Sequence, residues 1–245
     1  MNKQDVLLQV DKLIKLYNEG VLGGENMPEQ ENPALDIGSK ENYLYFTLPM
    51  ALNYQRNSYV LWECANRLYA KHPELFDCGT VVKISDNKLR EILVEYKVAL
   101  QPNKQPIIWK TLCRTFNNDF NGDVRLFFQK MDYKVENIEK YILEHKKDFP
   151  YLGGNKIRNY WLYVMEQYTD AKFVDRENIS VAPDTHVVQA SERLGVITKE
   201  ELSLSNVQLL VAERWKEILS ETDYDPIDIH TPMRLWSRGK FQIEV

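Results

Sequence analysis

Apolar residues recur along this chain at intervals of three and four, and period-two alternation is almost absent. That spacing predicts amphipathic helices throughout. "DVLLQVDKLIKLY" gathers Val6, Leu7, Val10, Leu13, Ile14 and Tyr17 on one face ahead of Gly20. From Gly20 to Lys40 the chain is rich in Gly, Pro, Asn and Glu and reads as a long loop crossing the surface. "ENYLYFTLPMALNYQ" and "SYVLWECANRLYAKH" are core helices separated by "RN", and Pro49 ends or kinks the first. Ser85 is an N-cap for "SDNKLREILVEYK", in which Leu89, Ile92, Leu93 and Tyr96 share a face. "QPIIWKTLCRTF", "DVRLFFQKM" and "KVENIEKYILEHKK" continue the pattern. A further helix runs from Asn155 to about Tyr168, and a loop through Val181, Ala182 and Pro183 follows it. "DTHVVQASERLGV", "SLSNVQLLVAERWKEIL" and "DPIDIHTPMRLWSRGKF" complete the chain, with no internal repeat. The expected architecture is all-α, in two lobes with a cleft between them.

Length and composition narrow the function. At 245 residues, 44% hydrophobic and 27% charged, the chain can bury a sizeable core and has the balance of a soluble globular protein. A formal charge of −5 opposes indiscriminate nucleic-acid binding, which rests on phosphate neutralisation, yet leaves room for a local basic face. No stretch has the apolar length of a membrane span or a signal peptide, so no membrane partner and a cytoplasmic location are expected. Cys64, Cys78 and Cys113 lack CxxC spacing and read as reduced, buried thiols. They form no metal-ligand group with His72, His145, His186 or His230, so no metal is expected.

Two stretches carry chemistry. In "FPYLGGNKIRNYW" the pair Gly153 and Gly154 permits positive φ and close approach of a phosphate to the start of the next helix, with Lys156 and Arg158 adding positive charge. A plain Gly-capped helix connection explains the same residues. In "VAPDTHVV" Asp184 stands where a helix begins. It is either a simple N-cap or a carboxylate that stabilises a developing cation or activates an amine.

Taken together, "FPYLGGNKIRNYW" and "PDTHVVQASERLG" resemble the helix-hairpin-helix (HhH-GPD) superfamily of DNA glycosylases, and "MALNYQRNSYVLWECANRL" resembles its early helix pair. The resemblance covers roughly residues 45 to 197 in the family's order. It implies one two-lobed helical glycosylase domain over residues 1–245 with a central cleft, its lobes near 45–160 and 1–44 plus 161–245. It also implies Lys156 as Schiff-base nucleophile in a desolvating pocket, Asp184 as the essential carboxylate, and Gln55 at the turn facing an opened duplex. Gly153, Gly154, Asn155, Arg158, His186 and Trp236 become DNA-binding candidates. A gapless match puts Asn155 in the lysine's place, whereas one extra glycine restores Lys156. The 28 residues from Lys156 to Asp184, with no four-cysteine iron-sulfur loop, make the chain more similar to the archaeal oxoguanine glycosylase branch.

The implied function is base-excision repair of double-stranded DNA by a monomeric glycosylase and AP lyase that removes oxidised guanine. It needs no cofactor, although a monovalent cation at the hairpin is compatible with the family. A monofunctional glycosylase using Asp184 alone, or a non-catalytic DNA- or protein-binding module, is the alternative. Trp161, Trp215 and Trp236, with Phe241, are candidates to stack on a flipped base. His186 either holds its loop or contacts a phosphate. The tail bearing Asp228, His230, Arg234 and Arg238 either closes the pocket or forms a polar cap.

Overall fold

A computed structural model of the chain describes residues 2–22 and 27–245. Among them are twelve α-helices and no strand. In order they are α1 (Lys3–Asn18), α2 (Lys40–Thr47), α3 (Ser58–Lys71), α4 (Cys78–Val81), α5 (Asp86–Glu95) and α6 (Gln105–Asp119). Then come α7 (Val124–Lys130), α8 (Val135–Glu144), α9 (Asn155–Tyr168), α10 (Thr185–Arg193), α11 (Val207–Leu219) and α12 (His230–Arg238). The helical periodicity is therefore realised, and α9 has the predicted bounds. Pro49 acts as expected: α2 stops at Thr47, and Pro49 heads a short 3-10 turn over Met50–Leu52. Ser85 caps α5, its hydroxyl accepting from Lys88 N–H at 3.3 Å.

The chain divides into two compact units, Asn26–Val174 and the pair Met1–Glu25 with Asp175–Val245. These bounds differ from lobes at 45–160 and 1–44 plus 161–245. Residues 161–174 stay with the first unit because α9 is continuous and its Trp161 is fully buried against Phe128 at 5.2 Å. Residues 27–44 belong there too: Asn42 donates to the Tyr168 carbonyl at 2.8 Å, and the Tyr43 hydroxyl donates to Asp170 at 2.6 Å. That bond and burial push the Tyr43 pKa well above the usual tyrosine range, burial being the larger cause.

An aromatic core fills this unit. Tyr45, Phe46, Trp62, Phe76, Trp109, Phe116, Phe127, Phe128, Phe149 and Trp161 are all essentially buried. The indole N–H groups of Trp109 and Trp161 reach the Leu75 carbonyl and the Thr47 hydroxyl, each at 3.0 Å, so these large rings are buried without leaving those donors unsatisfied. The loop expected to cross the surface between Gly20 and Lys40 is partly inside. Residues 23–26 lie outside the described residues, but Pro28–Gln30 form a 3-10 turn against α3, with Glu29 buried and accepting from the Tyr160 hydroxyl at 3.1 Å.

In the second unit α1 contributes Val6, Val10 and Leu13 to a core shared with α10, α11 and α12. Trp215 sits at its centre and donates to Ser191 Oγ at 2.8 Å. Arg176 bridges Asp225 and Asp228 at 2.6 and 2.7 Å, fixing the 3-10 turn that leads into α12. All three cysteines are buried free thiols, as expected.

Candidate functional site

The hairpin between α8 and α9 is a tightly hydrogen-bonded turn. Phe149 and Leu152 are buried anchors, Gly153 N–H donates to the Phe149 carbonyl, and Gly154 N–H to the Tyr151 carbonyl, both at 3.0 Å. The left-handed residue is Tyr151, at φ +66°, and neither glycine is in that region. The expectation that Gly153 and Gly154 supply positive φ is thus corrected. Their smallness matters instead: a Cβ on Gly154 would lie 3.3 Å from the Tyr151 carbonyl oxygen, tighter than ordinary contact. Gly154 is also the N-cap of α9 and has no side chain with which to cap it. First-turn amides have no intrahelical acceptor, and with the helix dipole they form a natural seat for an anion.

Arg158 does not face outward as expected. It is 2% exposed, and its guanidinium donates to the Gly153 carbonyl at 3.3 Å, to Asn155 Oδ1 at 3.0 Å and to the Glu139 carboxylate on α8. Burial pulls its pKa below the usual arginine value, against the pull of Glu139. It braces the hairpin from inside. Asn155 belongs to the same brace, since its Oδ1 also accepts from Asn159 at 2.7 Å. Lys156, the second residue of α9, is exposed to solvent and not set in a desolvating pocket. At the Gly153 carbonyl a monovalent cation would have to compete with the guanidinium already facing it, so that carbonyl does not fit such an ion.

The turn before α3 adjoins the hairpin. Gln55 is exposed and left-handed at φ +49°. Arg56 anchors the turn by donating to the carbonyls of Val98 and Lys97 at 2.6 and 2.9 Å. Tyr54, 45% exposed, meets the Tyr151 ring edge-on at 5.4 Å, and the Lys104 ammonium lies 5.0 Å from the same ring. Non-glycine residues in this region cost of order 1–3 kcal/mol each, and such strain concentrates where chains do work. Two strained turns joined by an aromatic contact make this surface a candidate site. Tyr54, Tyr151 and Lys104 were not legible as site residues, because only tertiary structure brings them together.

In the other unit Asp184 is the N-cap of α10, with Oδ1 accepting from Val187 N–H at 2.9 Å. Its Oδ2 lies 3.5 Å from Nε of Arg234, whose side chain is 9% exposed. Asp184 thus sets a carboxylate at the positive end of a helix, beside a buried guanidinium. His186 Nδ1 lies 3.1 Å from the Ser237 hydroxyl, which donates to Gln189 Oε1 at 3.1 Å. The serine proton is thereby used, so the imidazole donates through Nδ1 and ties α10 to α12.

Trp236 does not present a face to a base. It is 5% exposed, donates to the Ile243 carbonyl at 2.7 Å and packs against Phe241 at 4.7 Å. Trp161 and Trp215 are likewise fully buried. Among the described residues no group of His, Cys, Asp and Glu has the arrangement of a metal site, and no helix is long and apolar enough to cross a membrane.

With this geometry in view, the chain was compared with known proteins. No protein-family model matches it, and no curated protein does. Among solved structures it resembles a trapped endonuclease III–DNA covalent intermediate in an estranged-adenine complex. The TM-score is 0.63 at 16% identity, over 100% of this chain and 90% of the other. The chain has the helical endonuclease III fold. At that identity the likeness establishes the fold alone.

Proposed function

We propose that this protein is a DNA N-glycosylase with AP lyase activity that removes oxidised guanine from double-stranded DNA. The observation that carries this reading is a lysine exposed in the first turn of α9, behind a hairpin that ends in a glycine N-cap, in a chain with the endonuclease III fold. The solved neighbour is itself a covalent protein–DNA intermediate, which favours covalent chemistry on this scaffold. Lys156 is the nucleophile because the Asn155 carboxamide has no basic nitrogen from which an imine could form and its Oδ1 is taken up by Arg158 and Asn159.

The target nucleotide is turned out of the stack before reaction. The neutral Lys156 amine attacks the sugar's anomeric carbon as the base departs with the glycosidic electron pair. The Asp184 carboxylate stabilises positive charge on the sugar and assists loss of the ammonium proton. Collapse to the imine opens the sugar, and β-elimination then expels the 3′ phosphate. Because Lys156 is exposed in the free protein, DNA closing over it supplies the desolvation that favours the neutral amine.

The test is borohydride trapping on a duplex containing oxidised guanine. Wild type should form a covalent adduct, and Lys156→Gln should form none. Excision that persists in Lys156→Gln without trapping would reduce the protein to a monofunctional glycosylase. No excision by wild type across a panel of oxidised purines would overturn the reading.

A further inference from the structure

A cavity of about 110 Å³ opens between α5 and α6, lined by Arg90 from α5, by Ile107, Lys110 and Arg114 from α6, and by Pro102 and Pro106. One carboxylate, Asp86, shares it with those three cations. Lys110 donates to Asp86 Oδ1 and to the Ile84 carbonyl, both at 2.6 Å, and its side chain is only 14% exposed. Arg90 and Arg114 are exposed. Lys110 most strongly, then Arg114 and Arg90, hold the Asp86 carboxyl below the usual carboxylate range. Within a chain of net charge −5 this is a locally positive, concave surface.

Its position gives it a partner. Ile107, Lys110, Thr111 and Arg114 recur at helical spacing and form one row along α6, and Lys104 stands at its N-cap. The row starts at the hairpin, where Lys104 stands over the Tyr151 ring. At 1.5 Å per residue, Arg114 lies about 15 Å beyond Lys104 along the helix. Along a duplex axis one strand rises about 3.4 Å per phosphate, so where α6 runs along that axis the third or fourth phosphate past the hairpin comes level with the cavity. Resting on the reading of the protein as a DNA glycosylase, we infer that the Arg90–Lys110–Arg114 cavity binds a phosphodiester of the DNA strand flanking the lesion. It extends the footprint without taking part in excision.

The experiment measures duplex binding by fluorescence anisotropy between 50 and 200 mM salt, using a long duplex and one truncated two nucleotides from the lesion. Each released phosphate contact removes about 0.9 from the salt slope. Arg90→Gln/Arg114→Gln together release one phosphate contact and should therefore lower the slope on the long duplex by about 0.9 and weaken binding at the low-salt end by about three-fold relative to wild type. It should leave the short duplex and the single-turnover excision rate unchanged. Arg90→Lys/Arg114→Lys should keep the wild-type slope. An unchanged slope on the long duplex, with wild type binding and excising normally, overturns this inference and leaves the proposed function standing. Pyrophosphate binding to wild type that is lost in the Gln variant, with the DNA slope unmoved, assigns the cavity to a free phosphate and overturns it too. Failure of wild type to bind duplex DNA refutes the proposed function, and this inference with it.

Discussion

Replacing Arg158 with Met tests whether the hairpin is held from within. The guanidinium is 2% exposed and serves three acceptors: the Gly153 carbonyl, Asn155 Oδ1 and the Glu139 carboxylate. Methionine fills much of the same space, so the cavity contribution is small, and the loss is mainly polar. Breaking a fully buried ion pair by removing one partner costs about 3–5 kcal/mol. Here the Glu139 side chain is 43% exposed and regains water, which brings the expected destabilisation to about 2–3 kcal/mol. Urea unfolding of Arg158→Met, Glu139→Gln and the double variant measures it. The cycle should give a coupling of about 1–2 kcal/mol, with the double variant less destabilised than the sum of the singles. A single-variant loss below about 0.5 kcal/mol, or coupling indistinguishable from zero, would mean that the brace contributes nothing and that Arg158 is buried for another reason.

Three further outcomes are expected. Gln55→Gly and Tyr151→Gly each relieve a left-handed residue and should stabilise the protein by roughly 0.5–1 kcal/mol while weakening duplex binding; destabilisation in urea would show that these turns store no strain. Asp184→Asn keeps a good N-cap but removes the charge beside buried Arg234, so stability should fall by about 1–2 kcal/mol while excision falls at least about 100-fold; a loss of excision no greater than the loss of folded protein would make Asp184 structural only. Arg214 holds the Glu201 carboxyl below its usual range through paired bonds of 2.7 Å. A depressed native pKa gives stability present above the ordinary carboxylate range and lost as pH falls through the native value, so Glu201→Gln should flatten the acid limb of the stability profile, less so in high salt.

What was legible in the sequence was local. Ser85 and Asp184 announced their caps because a cap is a relation between residues three apart. The bounds of α9 followed from a glycine pair ahead of a periodic apolar face. The misreadings were all tertiary. Arg158 looked like a surface cation because nothing near it in sequence reveals Glu139, nineteen positions earlier on α8. Trp236 looked available to a base because its acceptor, the Ile243 carbonyl, lies past the end of its helix. The glycines of the hairpin looked like the flexible points, yet the tight packing of Phe149 and Leu152 placed the left-handed turn on Tyr151 between them. The contact of Tyr54 with Tyr151 joins turns almost a hundred residues apart and had no sequence signal.

The two helices that begin at the proposed chemical residues are capped in opposite ways, and the difference separates their tasks. α9 starts behind Gly154, which has no side chain to cap it, so its N-cap brings no negative charge to the positive end of the helix dipole. α10 starts behind Asp184, whose own carboxylate satisfies Val187 N–H and occupies the corresponding end. A phosphate is thereby welcome at α9 and repelled at α10, whereas a developing cation is favoured only at α10. Exchanging the caps should exchange the preferences. Gly154→Asp would cap α9 and cost phosphate affinity out of proportion to its effect on stability. Asp184→Ser would keep the cap and lose the charge that a cationic transition state requires.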